Sequence, residues 1–504
     1  MPYIEYPQPA SPYAQKNPFR GRTYHTQTIM PFNEAKSYLP APILPDRPLW
    51  EQMYWRAWEM LWANIHQPQP TSGLVASYAG PAKNDCINMW SSAFVALFGL
   101  YARRVFQMIN SLDNFYAWQH DDGFICREID PAGYERFYPH DPNSTGPNIL
   151  AWSEWRYYRL TGDNGRLSEV FWPLLAFHHW LQKNRTWPNG LYWATGLSSG
   201  MSNQTRITDQ VEESMFHHCH WTWVDVNMQV ALDTGILAEM AVLLNEKELA
   251  ESLSQEHLHL LQEVNARMWN ETAGFYQDIG PSGRFSPVKS IGAYWALLAQ
   301  GMVSKERLNP FLKHLYEPDM FKRPHRVPSQ SADSPGYDAE SGAHWRGGVW
   351  SPTNFMLLKG LRANNRYVLA HEIAMNHLEN VGRVFERTGT FWENYESESA
   401  APGQPAQPDF VGWTGLSAIA NLIEDVIGIG VDWPQRRVTW DRRFKTDAFY
   451  GVRNFPIGED GTMDLIGDRE TVTVTTTLPL TLVIQDDEIN LQTAVPAGVT
   501  EIAL

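Results

Sequence analysis

One carboxylate in the chain is flanked by aromatic side chains and followed by a loop rich in Gly and Pro. Glu393 follows Trp392 and precedes Asn394 and Tyr395, and the loop covers residues 400–408. Aromatic neighbours exclude water and make a carboxylate a stronger base, which suits it to general-base catalysis. The competing interpretation is a solvated loop glutamate beside structural aromatic residues. Because perturbed carboxylates concentrate at functional sites, Glu393 is a candidate catalytic base.

A second loop, from His344 to Trp350, combines two Trp, one Arg and two adjacent Gly. Trp345 and Trp350 offer flat apolar surfaces for the C–H face of a sugar, and Arg346 offers a fork of donors for its oxygens. Pro352 suits the first turn of a following helix. The alternative interpretation is a turn that enters a helix and is packed by the two Trp. The residue types alone do not decide between a sugar-binding loop and such a turn.

A cluster of His and Cys at 217–220 has the composition of a metal site but not its spacing. Adjacent histidines do not share a coordination direction, and no zinc pattern fits. We interpret them as polar residues leading into a helix near Asp225, and we predict neither metal nor cofactor. The chain also lacks a Gly-x-Ser-x-Gly elbow and a P-loop, so serine-hydrolase and nucleotide-binding functions have no supporting motif.

Apolar residues with helical spacing recur between about residues 48 and 430, separated by Gly, Pro, Asn and Asp. Alternating short and long connections predict a toroid of antiparallel helix pairs. Ser91 or Ser92 is the predicted N-cap of one of these helices. The predicted helical segments are 48–64, 91–111, 147–161, 167–183, 225–244, 247–269, 289–301, 304–316, 350–362, 366–386 and 412–428.

The composition and periodicity of the sequence predict three regions. Residues 1–45 are rich in Pro and aromatic residues and lack periodicity, which predicts an extended N-terminal arm. Residues 46–431 form the predicted helical catalytic domain. Residues 432–504 alternate β-branched and polar residues between turns, which predicts a small β-sandwich-like domain with antiparallel strands.

Composition excludes several classes of function. The chain has 504 residues and a net charge of −16 without a basic block, which disfavours nucleic acid as a partner. No run of eighteen apolar residues occurs, so no membrane-spanning helix is predicted. Three Cys and the lack of a signal-like start predict a reducing, cytoplasmic location. No feature distinguishes a monomer from a homo-oligomer. The 22 Trp are divided in this interpretation between helix packing and the loops described above.

Several loops, taken in order, resemble those of inverting α-glycosidases with an (α/α)6 barrel. The chain is most similar to glycoside hydrolase family 63, in particular its mannosylglycerate and glucosylglycerate hydrolase branch, and more distantly to family 37 trehalases. The segments that carry the resemblance are Trp90-Ser-Ser, Ser199-Gly-Met-Ser-Asn203 with Arg206, Trp345-Arg-Gly-Gly-Val-Trp350, Phe391-Trp-Glu-Asn-Tyr395 and Phe410-Val-Gly-Trp-Thr-Gly415.

The resemblance implies a mainly helical (α/α)6 barrel with a small C-terminal antiparallel β domain. It implies that Glu393 is the general base of an inverting hydrolysis. It also implies a substrate-binding set consisting of Trp90, Ser91, Gly200, Asn203, Arg206, Asp225, His344, Trp345, Arg346, Trp350 and Trp413.

Two positions depart from the family pattern. The family's general acid is an aspartate where this chain has Ser202, and a sugar-binding aspartate is Ser91 here. A hydroxyl does not ionise near neutral pH, and losing a general acid typically costs about 10²–10⁴-fold in rate. Three explanations are open: an engineered variant, a natural relative with lost or altered chemistry, or a substitute acid at Asp209, Glu212 or Glu213.

We therefore predict a glycoside hydrolase that acts on a small α-linked glucoside or mannoside by inversion, with the acid position altered to Ser202. The alternative is a family member that binds a carbohydrate without hydrolysing it, or does non-hydrolytic chemistry in the same pocket. A purely structural helical toroid is a third hypothesis, but it gives no role to Trp beside Gly-Gly in a loop.

Overall fold

Long helices recur along the chain up to residue 427 in the computed structural model, which describes residues 9–82 and 86–504. They are α1 (Pro48–Ala63), α2 (Met89–Gly99), α3 (Leu150–Thr161), α4 (Asn164–Asn184), α5 (Val224–Leu243), α6 (Lys247–Arg267), α7 (Lys305–Lys313), α8 (Ser351–Ala363), α9 (Tyr367–Thr388) and the π-helical α10 (Leu416–Ile427). Shorter helical segments are Ala14–Lys16, Phe32–Ala35, Lys36–Tyr38, Leu100–Ala102, Met108–Leu112, Asp113–Ala117, Val211–Ser214, Ile291–Leu297 and Trp433–Gln435. The predicted helix-rich character is confirmed.

Some helices are buried on all sides, and others have one face exposed to solvent. Every residue of α2, of Ile291–Leu297 and of α10 is buried. By contrast, α6 and α9 bury one stripe and expose charged residues on the other side. An apolar helix without a polar face has to be covered on all sides, so the first group forms the interior. Helix α5 is long and apolar enough to cross a membrane, but 72% of its apolar window is buried inside the protein.

The enclosed helices contact one another in a closed sequence. Helix α2 contacts α3, α3 contacts α5, α5 contacts Ile291–Leu297, and this segment contacts α8. Helix α8 then contacts α10, which contacts α2. We call these six segments the inner ring. The half-exposed helices pack on its outside, with α4 and α6 against α5, and α1 and α9 against α10.

The C-terminal region consists of two sheets. The strands are β1 (Ala41–Ile43), β2 (Ile429–Asp432), β3 (Arg437–Asp441), β4 (Tyr450–Ile457), β5 (Gly461–Gly467), β6 (Thr471–Thr476), β7 (Leu480–Gln485), β8 (Asn490–Val495) and β9 (Gly498–Ala503). One sheet has the order β1-β4-β5-β6-β9 and the other β8-β7-β3-β2. Two-residue strands elsewhere pair Ile65–His66 with Tyr78–Ala79, Ile87–Asn88 with Glu128–Ile129, and Trp269–Asn270 with Phe275–Tyr276.

The predicted C-terminal antiparallel sheet is confirmed for the five-stranded sheet, but the second sheet is mixed. Strands β3 and β7 run parallel, with Val438 opposite Leu482. The chain leaves β3, passes through three strands of the other sheet and returns, and such a crossover permits a parallel pair. Strand β1 pairs with β4, with Ala41 opposite Arg453, so a segment near the start of the chain completes a sheet near its end.

The sheets cover the C-terminal ends of the inner helices. The Trp440 indole donates a hydrogen bond to the carbonyl of Ile427, and Arg362 on α8 binds Asp425 on α10 and Asp441 on β3. The opposite end of the ring, where the inner helices begin, carries the long loops. The fold therefore leaves the N-terminal ends of α2, α8 and α10 available for a site.

Candidate active site

A cavity of about 180 Å³ opens where inner helices begin. It brings together most of the residues that the sequence predicted. Its lining consists of Asn88, Trp90, Ser91, Arg127, Gly146, Pro147, Leu197, Gly200, Ser202, His344, Trp345, Trp350, Glu393 and Trp413.

The start of α2 supplies one wall. The Asn88 side-chain oxygen accepts hydrogen bonds from the backbone N–H groups of Trp90 and Ser91, at 3.0 and 3.3 Å. Asn88 is thus the N-cap, and the prediction of Ser91 or Ser92 was wrong because the helix begins two residues earlier. With the cap supplied by Asn88, the Ser91 side chain is left to line the cavity.

A group of aromatic rings forms a second wall. Trp345 and Trp350 stack with their ring centroids 3.8 Å apart and an interplanar angle of 3°. The ring centroid of Trp413 lies 5.7 Å from that of Trp350. The His344 ring packs edge-on against Trp350, with a centroid distance of 4.7 Å. Because Trp345 and Trp350 are only 2% and 1% exposed, their faces are used mainly in stacking. Only a small part of these two rings therefore reaches the cavity.

Glycine at position 348 allows this stack to form. A Cβ atom there would lie 2.3 Å from the carbonyl oxygen of His344, closer than any real contact. The same carbonyl accepts a hydrogen bond from the Trp350 indole at 3.1 Å. The loop therefore folds back on itself, and this explains the glycine that the sequence places between His344 and Trp350.

The Glu393 carboxylate is held at the cavity by its own backbone. Its N–H donates to the Gln407 carbonyl at 2.9 Å, and its carbonyl accepts from the Trp413 indole at 2.8 Å. One carboxylate oxygen accepts a weak hydrogen bond from the Gln407 N–H at 3.3 Å, and the other lies 3.9 Å from His344 Nε2. With 21% of the side chain exposed, the second oxygen can accept a proton from a water molecule in the cavity.

The Ser202 loop supplies a third wall without a carboxylate. Gly200 has φ +79°, and a Cβ there would lie 3.3 Å from the Trp90 ring. In the described parts of the chain, Glu393 is the only carboxylate among the lining residues, and the Ser202 hydroxyl has no hydrogen-bond partner. The candidate substitute acids Asp209, Glu212 and Glu213 are exposed and do not line the cavity.

Four predicted binding residues lie behind the cavity rather than in its lining. Asn203 joins two loops, since its amide donates to the Ala343 carbonyl and its oxygen accepts from the Trp345 N–H, both at 2.9 Å. Arg346 donates to the carbonyl of Gly336 at 3.1 Å. Arg206 and Asp225 form part of a buried ion cluster.

The ion cluster uses four of the five N–H donors of the Arg206 guanidinium. It makes paired hydrogen bonds of 2.7–2.9 Å to Asp225 and to Asp278, and it stacks over Trp223 at 4.4 Å. Burial alone would lower the pKa of Arg206, but the two carboxylates raise it further above its usual value. Because Arg206 and Asp225 are also buried, at 1% and 0% exposed, they support the loop before α5 and do not line the cavity.

Five lining residues were missed from the sequence: Asn88, Arg127, Gly146, Pro147 and Leu197. The Arg127 carbonyl accepts from the N–H of Met89, which places it beside the start of α2. Its guanidinium donates to the Leu197 carbonyl at 2.6 Å. No spacing rule signals these contacts, because they join segments tens of residues apart.

The other candidates from the sequence occupy structural positions. The His218 ring packs against Trp193 at 4.7 Å and Trp187 at 5.0 Å. Across residues 9–82 and 86–504, no three His, Cys, Asp or Glu side chains converge as metal ligands. A larger hollow of about 610 Å³ lies between the inner ring and the sheets, but its charged groups pair with each other, as in Arg156–Glu424 at 2.6 Å.

Comparison with known proteins agrees with this geometry. The family model described as "Mannosylglycerate hydrolase MGH1-like glycoside hydrolase domain" matches residues 87–414. The fold is similar to the glycoside hydrolase family 63 mannosylglycerate hydrolase from Thermus thermophilus crystallised with glucose (TM-score 0.60, 20% identity, 73% of this chain and 99% of that chain). It is also similar to neutral trehalase from Saccharomyces cerevisiae (TM-score 0.56, 15% identity, 71% of this chain and 76% of that one).

A sequence relative is the probable mannosyl-oligosaccharide glucosidase of Schizosaccharomyces pombe. It is 25% identical over 217 residues, which are 40% of this chain and 26% of that protein. The family model spans the start of α2, the Ser202 loop, the stacked Trp and Glu393, so it contains all the residues that line the cavity. The chain is a glycoside hydrolase and belongs to the mannosylglycerate hydrolase MGH1-like family.

Proposed function

We propose that this protein hydrolyses a small α-linked glucoside or mannoside with inversion at the anomeric carbon. The observation that carries the proposal is Glu393, an accessible carboxylate in a small aromatic cavity. We further propose that the inner ring and its outer helices constitute an (α/α)6 barrel whose N-terminal end holds the cavity. The family membership and the closed contact sequence of the inner helices support this architecture.

The size of the cavity favours a small substrate. Its volume of about 180 Å³ is below the ~300–1,000 Å³ typical of sites for drug-sized ligands. The Thermus thermophilus mannosylglycerate hydrolase was crystallised with glucose, and also with Tris and D-glycerate. One sugar ring with a short aglycone therefore fits both the space and the kind of ligand bound by a protein of similar fold.

In this mechanism Glu393 removes a proton from a water molecule that attacks the anomeric carbon. The Trp345–Trp350 stack and Trp413 keep other water away, which strengthens the interaction of the carboxylate with that proton. An inverting enzyme also needs a second carboxyl group, about 6.5–9.5 Å from the first, to protonate the leaving oxygen. Ser202 occupies the family's acid position and does not supply that proton.

The test combines product stereochemistry with one substitution. Proton NMR of fresh reactions with α-glucosyl and α-mannosyl substrates, including the glycosyl fluorides, is expected to detect the β-anomer of the free sugar first. Glu393→Gln is expected to reduce kcat by about 10²–10⁴-fold. The matched control is Glu396→Gln, because Glu396 lies three residues away, does not line the cavity and hydrogen-bonds Ser399. Release of the α-anomer, or full activity of Glu393→Gln, would contradict the proposal.

A second candidate function is saccharide binding without turnover. It is favoured by one observation, a cavity whose described lining contains Ser202 and no carboxylate besides Glu393. It predicts calorimetric binding of a monosaccharide glycoside, no release of sugar, and no gain of activity from Ser202→Asp. Turnover of any glycoside that depends on Glu393 would reject it.

A further inference from the structure

The cavity contains a guanidinium without an ion pair to any described carboxylate, although Glu128 and Asp141 act on it from beyond salt-bridge distance. Arg127 lines the cavity together with Ser202 and Glu393. In the described ranges of the chain, Arg127 forms no ion pair, although most buried or half-buried arginines here pair with Asp or Glu, as Arg206 and Arg362 do. Charged groups held away from water are usually paired, so an unpaired guanidinium in a cavity indicates an anionic ligand.

The position of Arg127 is fixed while most of its donors stay free. One nitrogen donates to the Leu197 carbonyl at 2.6 Å, and the guanidinium lies over the Phe137 ring at 5.1 Å. A guanidinium carries five N–H donors in a rigid fork, so several are left for a ligand. Burial lowers the pKa of Arg127, as expected for a charge held partly away from water.

Arg127 and Ser202 belong to the same wall. Leu197, which accepts the Arg127 hydrogen bond, is five residues before Ser202 in the same loop, and both line the cavity. The Ser202 hydroxyl has no partner within the described residues. The Arg127 guanidinium and the Ser202 hydroxyl line the same cavity. Together they are a suitable set of donors for the oxygens of a phosphate or carboxylate.

Two features of the cavity have one common explanation: the free donors of Arg127 and Ser202, and the lack of a second carboxylate among the described lining residues. A sugar alkoxide is a poor leaving group unless an acid protonates it, whereas an oxyanion that is stable in water leaves without a proton. We propose that the substrate of this site is an α-glycosyl phosphate, and that Arg127 binds the phosphate as it departs. The inference rests on the proposed function, because it assigns the leaving group of the reaction that Glu393 catalyses.

The reacting form is the phosphate monoanion, because it departs as hydrogen phosphate, whereas the dianion would have to depart as fully deprotonated phosphate. Since the second ionisation of a phosphate monoester has a pKa of about 6, the monoanion is populated mainly at and below this pH. A water oxygen forms a bond to the anomeric carbon while the bond from this carbon to the bridging phosphate oxygen breaks. The electron pair of the broken bond stays on the phosphate, which leaves as hydrogen phosphate, and Glu393 takes one proton of the water. The products are the inverted sugar and inorganic phosphate.

Four substrates separate this inference from the proposed function. They are α-glucose 1-phosphate, α-glucosyl fluoride, methyl α-glucoside and α-glucosylglycerate, each paralleled by its mannose counterpart. The fluoride leaves without a proton and without needing Arg127. Glucosylglycerate is anionic but leaves as an alkoxide, so it needs the absent acid. We expect turnover of the phosphate and the fluoride, and at least about 10²-fold lower kcat/KM for the other two.

Substitution of Arg127 provides the second part of the test. Arg127→Gln is expected to reduce kcat/KM for the glycosyl phosphate by about 10–10²-fold, the contribution of hydrogen bonds to a charged group. The fluoride reaction should fall by a clearly smaller factor than the phosphate reaction, and the fluoride turnover that remains shows that the variant is folded. Arg127→Lys keeps the charge and should restore part of the phosphate activity. Arg284→Gln, at an exposed turn, is the control.

Each outcome has a defined meaning. Hydrolysis of the fluoride but not of the phosphate would overturn the assignment of the leaving group and leave the proposed function standing. Faster hydrolysis of glucosylglycerate than of the phosphate would overturn it as well, and would assign Arg127 to an aglycone carboxylate. If the fluoride is not hydrolysed in either sugar series, the proposed function itself fails.

Discussion

The chemistry of the cavity depends on two side chains that differ in their capacity to transfer protons. Glu393 presents an accessible carboxylate oxygen, and Ser202 presents a hydroxyl without a partner among the described residues. Water activation and leaving-group protonation are separate requirements of an inverting hydrolysis. In the proposed mechanism Glu393 meets the first requirement, and the described lining residues include no other carboxylate for the second. On this proposal the identity of the leaving group decides which substrates react.

Restoring a carboxyl group at position 202 should restore the missing requirement. Ser202→Asp is expected to raise kcat on methyl α-glucoside or its mannose counterpart by about 10²–10⁴-fold, because an acid can then protonate the alkoxide. The same substitution should slow hydrolysis of a glycosyl phosphate by repelling its negative charge. The measurement is release of free sugar under saturating substrate.

The matched control for that experiment is Ser202→Asn, which has nearly the same size as aspartate but no ionisable group. It should give no gain on either substrate. Equal activity of the Asp and Asn variants would show that position 202 is not where the leaving oxygen is protonated.

The local sequence predicted cavity residues whose position depends on contacts within their own loop. It missed residues whose position depends on contacts with distant parts of the chain. Glu393 and the Trp345–Trp350 pair stand in recognisable segments, and the structure places them at one cavity. Arg206 stands in an equally recognisable segment, yet one of its partners, Asp278, is 72 residues away. Arg127 has no local signal, because its place depends on Leu197, 70 residues later.

At the scale of elements, one buried histidine joins three helices. His178 on α4 hydrogen-bonds Asp233 on α5 through Nδ1 at 2.9 Å and Glu256 on α6 through Nε2 at 2.8 Å. Burial alone lowers the pKa of His178, but the two carboxylates outweigh it and raise the pKa to about 10. The imidazolium therefore holds two outer helices to one helix of the inner ring.

The raised pKa predicts how stability depends on pH. The unfolded histidine loses its proton near pH 6.5, whereas the folded one keeps it up to about pH 10. This contribution is fully present below pH 6.5 and is lost as the pH rises towards 10. Urea unfolding should give a lower free energy of unfolding at pH 9.5 than at pH 6.5, by about 1.5–3 kcal/mol from this group.

His178→Gln should remove most of that slope, because glutamine keeps a hydrogen bond but carries no proton-linked charge. His377→Gln is the control: burial lowers the pKa of His377 to about 3, so it is neutral in both states above pH 6.5. An unchanged slope in His178→Gln would contradict this account of how α4, α5 and α6 are joined.

Periodicity predicted where helices lie but not how each one ends. The predicted helix 91–111 is α2, which ends at Gly99, followed by short turns at Leu100–Ala102 and Met108–Leu112. A Cβ at Gly99 would lie 2.4 Å from Met108, so the chain folds back tightly at this glycine. Similarly, the predicted helix 289–301 is the short segment Ile291–Leu297. Apolar spacing alone does not distinguish a tight turn from a continuing helix.

At the scale of the whole molecule, the sheets and the inner ring share buried contacts. The change in sequence texture near residue 432 predicted strands, but it gave no sign that β1, near the start of the chain, would pair with β4. Nor could it predict the parallel pair of β3 and β7, whose partners are separated by three strands of the other sheet. Pairings of this kind depend on tertiary packing and leave no local pattern.

The contacts of Arg362 predict that the two parts unfold together. Its guanidinium binds Asp425 on α10 at 2.7 Å and Asp441 on β3 at 3.0 Å, and both carboxylates are at least 99% buried. Arg362→Met would remove the link between the two carboxylates but leave Asp425 with Lys359 and Asp441 with Arg443. We therefore expect a cost below the about 3–5 kcal/mol that is typical of an uncompensated buried charge. We expect one calorimetric transition for the natural chain, and for the variant a lower Tm with the sheet region unfolding first.

Arg159→Met is the matched control, because Arg159 on α3 also pairs a helix with a strand, at Asp432 on β2, but its side chain is 41% exposed. An exposed pair contributes about 0–1 kcal/mol, so its loss should shift Tm only slightly. Two separate transitions in the natural chain, or equal effects of the two substitutions, would contradict the coupling. The sheets pack at the end of the ring opposite Glu393. Arg362→Met should therefore lower Tm but leave kcat unchanged at temperatures where the variant is folded.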